Sequence, residues 1–65
     1  MKTVIFDNNG DKLKAFDRDV NLQEGDEVMW LKTKTVVKDS YYDIANDTRF
    51  VFLDLDVKPE DVKGV

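Results

Sequence analysis

Apolar residues recur at every second position through most of this chain. Near the N-terminus Val4 and Phe6 alternate with Ile5 and Asp7, the run breaks at Asn8-Asn9-Gly10-Asp11, and alternation resumes with Leu13 and Ala15 between lysines. A period of two belongs to a half-buried strand, and Asn-Gly between two such runs is a hairpin signal, so residues 2–16 are predicted to form a β-hairpin. The connection that follows, DRDVNLQEGDE, is irregular. Val20 and Leu22 are expected to tuck inward there, and Glu24-Gly25-Asp26 to turn the chain into a strand over residues 27–32.

A turn near Thr33 and Lys34 then leads to the extended run TVVKDSYYDIA, rich in β-branched and aromatic residues. Asn46-Asp47 closes a second hairpin. The last strand, residues 49–57, places Val51, Leu53, Leu55 and Val57 on one face and Phe50, Phe52, Asp54 and Asp56 on the other. The first set is the expected core. Pro59 at a helix-starting position, Glu60 and Asp61 behind it and Gly64 near the end predict one short C-terminal helical turn. Five strands joined mostly by tight turns predict an all-β, five-stranded antiparallel meander that closes into a small barrel, SH3-like with OB-like as the alternative. No internal repeat or linker divides the chain, so residues 1–65 are read as a single domain.

Length sharpens that picture. A chain of 65 residues buries only about 60% of the surface its unfolded form exposes, so its core is thin. It holds no cysteine and no histidine, which removes disulfides, thiolate nucleophiles, Cys/His zinc sites and imidazole bases from consideration. A small fold without staples leans on its apolar residues and on association, which makes a protein partner or a homo-oligomer an expectation. The apolar run Val4 to Phe6 is too short for a signal-peptide core or a membrane span. The chain therefore reads as an intact, soluble, cytoplasmic product with no membrane partner. Fourteen acidic against 10 basic residues give a net charge of -4, which disfavours broad binding to nucleic acid or anionic lipid and leaves room for a local basic face.

Candidate chemistry is sparse. DNNGD at residues 7–11 has the composition of a calcium loop, but Gly10 is fourth and Arg18 twelfth where an EF-hand needs a sixth glycine and a twelfth glutamate. A hairpin turn accounts for it. Asp54 and Asp56 share the D-x-D spacing of some metal-dependent enzymes, and Asp39 or Asp43 would have to supply a third ligand. With no histidine to activate water, a solvated strand face is the better account, and neither a metal nor a cofactor nor an enzymatic activity is expected. Trp30, Lys32 and Lys34 have equal parity, so an aromatic ring and two cations, with Tyr42 beyond, are expected to share a surface of the kind that stacks bases and holds phosphates. The alternative is that Trp30 caps one end of the barrel.

Phe50 and Phe52 beside Asp54 and Asp56 form a third candidate, an apolar patch rimmed by acid that suits a protein partner or a second copy. The alternative is a strand buried on both sides, with the segment around Val62 lying over the rings. The acidic excess itself, in Asp17, Asp19, Glu24, Asp26 and Glu27 and again in Asp54, Asp56, Glu60 and Asp61, offers electrostatic mimicry of nucleic acid, although lysines are interleaved with it.

The stretch LQEGDEVMWL followed by TVVKDSYYDIANDTRFVFLDL resembles small SH3-like barrel proteins of phages and prophages of Gram-positive bacteria, in which an E-G-D-x-V turn opens a strand and a tyrosine-containing hairpin comes next. The resemblance spans residues 22–55. It implies a barrel and a phage-related source, and carries over no catalytic or binding residue. The expected function is a non-catalytic protein-interaction module, a phage-encoded modulator of a host protein, using Phe50, Phe52, Asp54 and Asp56. A weak single-stranded nucleic-acid binder using Trp30, Lys32, Lys34 and Tyr42, or an acidic nucleic-acid mimic, is the alternative. A buried Trp30 with exposed phenylalanines would favour the first, and the reverse arrangement the second.

Overall fold

The computed structural model describes residues 1–56 and shows five strands: β1 (Lys2–Phe6), β2 (Lys12–Phe16), β3 (Glu27–Trp30), β4 (Thr33–Asp43) and β5 (Thr48–Leu53). The predicted first hairpin forms, with β1 and β2 antiparallel. Its turn is held by Asp7, whose Oδ1 accepts the N–H groups of Asn9 and Asp11 at 2.9 Å each. Gly10 takes a φ of +85° there, the left-handed value that a residue without a Cβ adopts at little cost. Asp7 is buried. The carboxylate that alternation would set on a strand face is thus spent on ordering the turn.

The expected all-antiparallel meander is corrected at the centre of the sheet. Strand order is β2-β1-β5-β4-β3, and β1 pairs with β5 in parallel, from Lys2 opposite Thr48 to Phe6 opposite Phe52. The reason lies in the connection over residues 17–26, which carries the chain from β2 at one edge of the sheet to β3 at the other. Two antiparallel reversals then bring β5 back beside β1, running the same way. The sheet is mixed, and among the described residues it contains no helix. The predicted helical turn at Pro59 to Gly64 lies outside the described residues.

Curling comes from β4. Its first residues, Thr33 to Val36, pair with β3, and from Val37 onward it pairs with β5. Lys38 sits unpaired at a bulge between Val37 and Asp39, and a bulge at such a corner bends the strand and raises its twist. The result is a curled half-barrel. β2 and β3, the two ends of the strand order, do not pair with each other, so the expected closure into a barrel is not completed within the described residues.

The concave face holds the core: Ile5, Val37, Val51 and Leu53 are buried, with Leu13, Phe16, Leu22, Val28, Trp30 and Leu55 packed against them. Each buried aliphatic side chain contributes about 1.5–3 kcal/mol, so four of them make a modest core. The crossing connection covers part of it. Val20 and Leu22 turn inward as predicted and are partly buried. Thr3, itself buried, clamps the crossing in place, because its Oγ1 donates to the Arg18 carbonyl and accepts the Val20 N–H, both at 2.8 Å. Farther along, Ser40 Oγ donates to the Leu22 carbonyl at 2.7 Å.

Candidate interaction surface

The face of the sheet opposite the core is aromatic. Phe50 lies opposite Val4 on one side and Tyr41 on the other, and Phe52 lies between Phe6 and Asp39. Cross-strand partners point to the same face, so Val4, Phe6, Tyr41, Phe50 and Phe52 gather on the convex side. The rings touch: Phe6 and Phe52 stack with centroids 4.9 Å apart, Tyr41 and Phe52 stack at 5.7 Å, and tilted contacts at 5.8 and 6.0 Å tie Phe50 to Phe6 and Tyr41. Tyr41 is 50% exposed and the phenylalanines are half-buried, whereas Val51 between them is fully buried. The predicted alternation along β5 holds. Phe6 and Tyr41 were not singled out in the sequence, because only the strand pairing brings them beside β5.

Asp54 and Asp56 do not rim this patch together. Asp54 follows the end of β5, donates its N–H to the Val36 carbonyl at 3.0 Å, and lines a shallow recess with Gly25, Glu27, Lys34 and Thr35. Asp56 reaches the other way, to Asn8 Nδ2 at 3.4 Å beside the first turn. Asp39, opposite Phe52, is the acid beside the rings, and Asp54 lies farther along, toward β3. The two carboxylates of the D-x-D pair therefore face different neighbours, and among the described residues no three acidic, cysteine or histidine side chains gather in a way that would hold a metal ion.

The basic-aromatic cluster comes apart. The β3–β4 turn falls at Leu31-Lys32, two residues before the predicted position, and both residues have positive φ, 45° and 71°. That is the conformation of a type I′ hairpin turn, normally filled by Asn-Gly. Lys32 is therefore in the turn. Lys34 pairs with Met29 and Trp30 with Thr33, which places Lys34 and Trp30 on opposite faces, and Lys34 Nζ meets Glu27 at 2.8 Å. Trp30 packs against the core from the concave side. Tyr42 lies at the far end of β4, where its hydroxyl donates to Asp47 Oδ1. That hydrogen bond and the negative charge of Asp47 raise the Tyr42 pKa above its ordinary 10.0. Asp47 is lowered below 3.8 by the Tyr42 hydrogen bond and by the N-terminal ammonium, 3.3 Å from its Oδ2.

The acidic stripe is interrupted as well. Asp19 pairs with Arg49 at 2.8 Å and Glu27 with Lys34, while Asp26 Oδ2 accepts the Gln23 N–H. The described residues contain no helix long and apolar enough to cross a membrane. Comparison with protein-family models, curated proteins and solved structures finds no match to the chain.

Proposed function

We propose that this chain is a small, non-catalytic protein-interaction module that presents its convex aromatic face to a partner protein or a second copy. The observation that carries the reading is the cluster of Phe6, Phe50, Phe52 and Tyr41, in which Phe6 and Tyr41 each contact both Phe50 and Phe52 on the face of the sheet that the core does not use. Aromatic residues with a polar tip at the margin, as Tyr41 supplies, are the side chains that dominate protein interfaces. Asp39 beside them and the net charge of -4 suit a partner with basic residues around an apolar centre. In this reading the module acts in the cytoplasm as a phage-encoded modulator of a host protein, a phage-related source being what the SH3-like resemblance of residues 22–55 implies.

A nucleic-acid role draws less support. Trp30 and Lys34 face opposite ways, Lys34 is paired with Glu27, and the Tyr42 hydroxyl is engaged by an aspartate. Mimicry of nucleic acid needs unpaired carboxylates in a row, and two of the candidates, Asp19 and Glu27, are neutralised by partners.

The test is an affinity capture from a Gram-positive bacterial lysate with three baits: the 65-residue chain, Phe50→Ser/Phe52→Ser, and Lys34→Ala. Light scattering of each bait reads self-association. The proposal expects a captured protein, or a dimer, that the wild-type and Lys34→Ala chains share and the double phenylalanine variant loses. Identical captures and identical masses for all three would overturn it.

A further inference from the structure

The open side of the half-barrel is the second surface of interest, and it is a cleft. No Cα of β2 lies within 8 Å of one in β3, while paired strands sit about 4.8 Å apart. Between those edges a cavity of about 490 Å³ opens into the concave face, lined by Ile5, Phe16, Leu22, Val28, Trp30 and Leu53 among others. A few hundred cubic ångströms lined by apolar side chains with a few placed polar groups is the usual make-up of a small-molecule site.

The polar side chains that line this cleft are Lys14 and Trp30. Trp30 Nε1 is shut off from water and has no acceptor, and a buried indole N–H ordinarily finds one. Lys14, on the inward face of β2 opposite Ile5, lines the cleft with its ammonium 5.7 Å from the Phe16 ring centroid. The Arg18 guanidinium stands 5.3 Å from the same ring. Among the described residues neither cation is in an ion pair, and no carboxylate lines the cavity. In a chain of net charge -4, an apolar cavity whose lining side chains include a cation and no carboxylate is a local exception to the surrounding field.

We infer that the cleft between β2 and β3 binds a small amphipathic anion, a single carboxylate on a hydrocarbon or aryl body. Its apolar part lies on Phe16, Val28, Trp30 and Leu53, and its head meets the Lys14 ammonium. The net negative charge works against polyanions and leaves a single-headed anion as the ligand whose burial outweighs the repulsion. This site is separate from the convex face, so either reading can fail without the other.

Trp30 is the one tryptophan and stands in the cleft, so its emission reports occupancy. The 65-residue protein is titrated with decanoate below its micelle concentration, with decanol and decyltrimethylammonium as neutral and cationic controls and a capped apolar pentapeptide as a strand-like competitor. The expected result is a saturable change in Trp30 emission with decanoate, at least about tenfold weaker binding of both controls and about tenfold weaker decanoate binding to Lys14→Gln. Phe50→Ser/Phe52→Ser is expected to bind decanoate as the wild type does. A change that does not saturate, equal binding of all three amphiphiles, undiminished binding to Lys14→Gln, or saturation by the pentapeptide alone would each overturn the proposal. The last outcome would make the cleft a docking groove for an added strand.

Discussion

Phe6 and Phe52 stack across the parallel junction of β1 and β5, their ring centroids 4.9 Å apart and their planes 16° from parallel. One residue farther along β5, Leu53 is buried on the other face with Ile5 and Val37. The two faces of one strand thus carry different loads. A charge placed at position 52 can reach water from the rim of the patch, while one at 53 is trapped without a partner. Phe52→Lys is expected to keep the far-UV circular dichroism of the wild type, and Leu53→Lys to give an unfolded spectrum at 25 °C. A folded Leu53→Lys would contradict the assignment of faces.

Thr3 carries a second prediction. Its hydroxyl satisfies both the Arg18 carbonyl and the Val20 N–H, so the near-isosteric Thr3→Val leaves two backbone groups without partners at the base of the crossing connection. The expected loss is about 1–3 kcal/mol in urea unfolding, accompanied by faster amide exchange at Val20. A loss near zero would mean that the crossing is held by its apolar residues alone.

Leu31 and Lys32 occupy left-handed backbone positions, which cost a side-chain-bearing residue about 1–2 kcal/mol each relative to right-handed ones. Leu31→Asn/Lys32→Gly supplies the residues a type I′ turn prefers and is expected to raise stability by about 2 kcal/mol in the same assay. Leu31 also lines the cleft, so the gain in stability is expected to come with weaker decanoate binding.

Tyr42 and Asp47 predict the pH response at the β4–β5 turn. Asp47 titrates below its ordinary 3.8 in the folded chain, so its stabilising contribution is present above that value and disappears as pH falls through the lower folded one. Tyr42 titrates above 10.0, and its contribution is present below 10.0 and lost as pH rises through the higher folded value. Both side chains are solvent-exposed, so the expected effects are small. Tyr42→Phe is expected to move the Asp47 carboxyl resonance titration upward in NMR. An unchanged Asp47 titration would show that the ammonium of Met1 alone holds it down.

Local pattern made much of this legible from the sequence. Asn-Gly marked the first hairpin, the irregular connection held its two inward residues, and alternation along β5 separated Phe50 and Phe52 from Val51 and Leu53. Pairing direction was not legible, because a period of two states which face a residue occupies and not which strand lies beside it. That is why Phe6, Tyr41 and Asp39 joined the aromatic face only in the structure. The β3–β4 turn was placed too late because Leu31 and Lys32 lack the residue types that signal positive φ, and that shift of two residues also moved Lys32 and Lys34 away from Trp30. The cleft carried no motif at all, since Lys14, Phe16 and Trp30 come from opposite edges of the sheet.

Solvent access of the aromatic rings tests the central claim most directly. NMR relaxation by a soluble nitroxide, recorded on the 65-residue chain at a concentration where light scattering reads a monomer, compares ring protons of Phe6, Phe50, Phe52 and Tyr41 with the methyls of Val37 and Val51. An aromatic face available to a partner predicts strong broadening at all four rings and none at the two valines. Phe50 and Phe52 protected as fully as Val51 would contradict it.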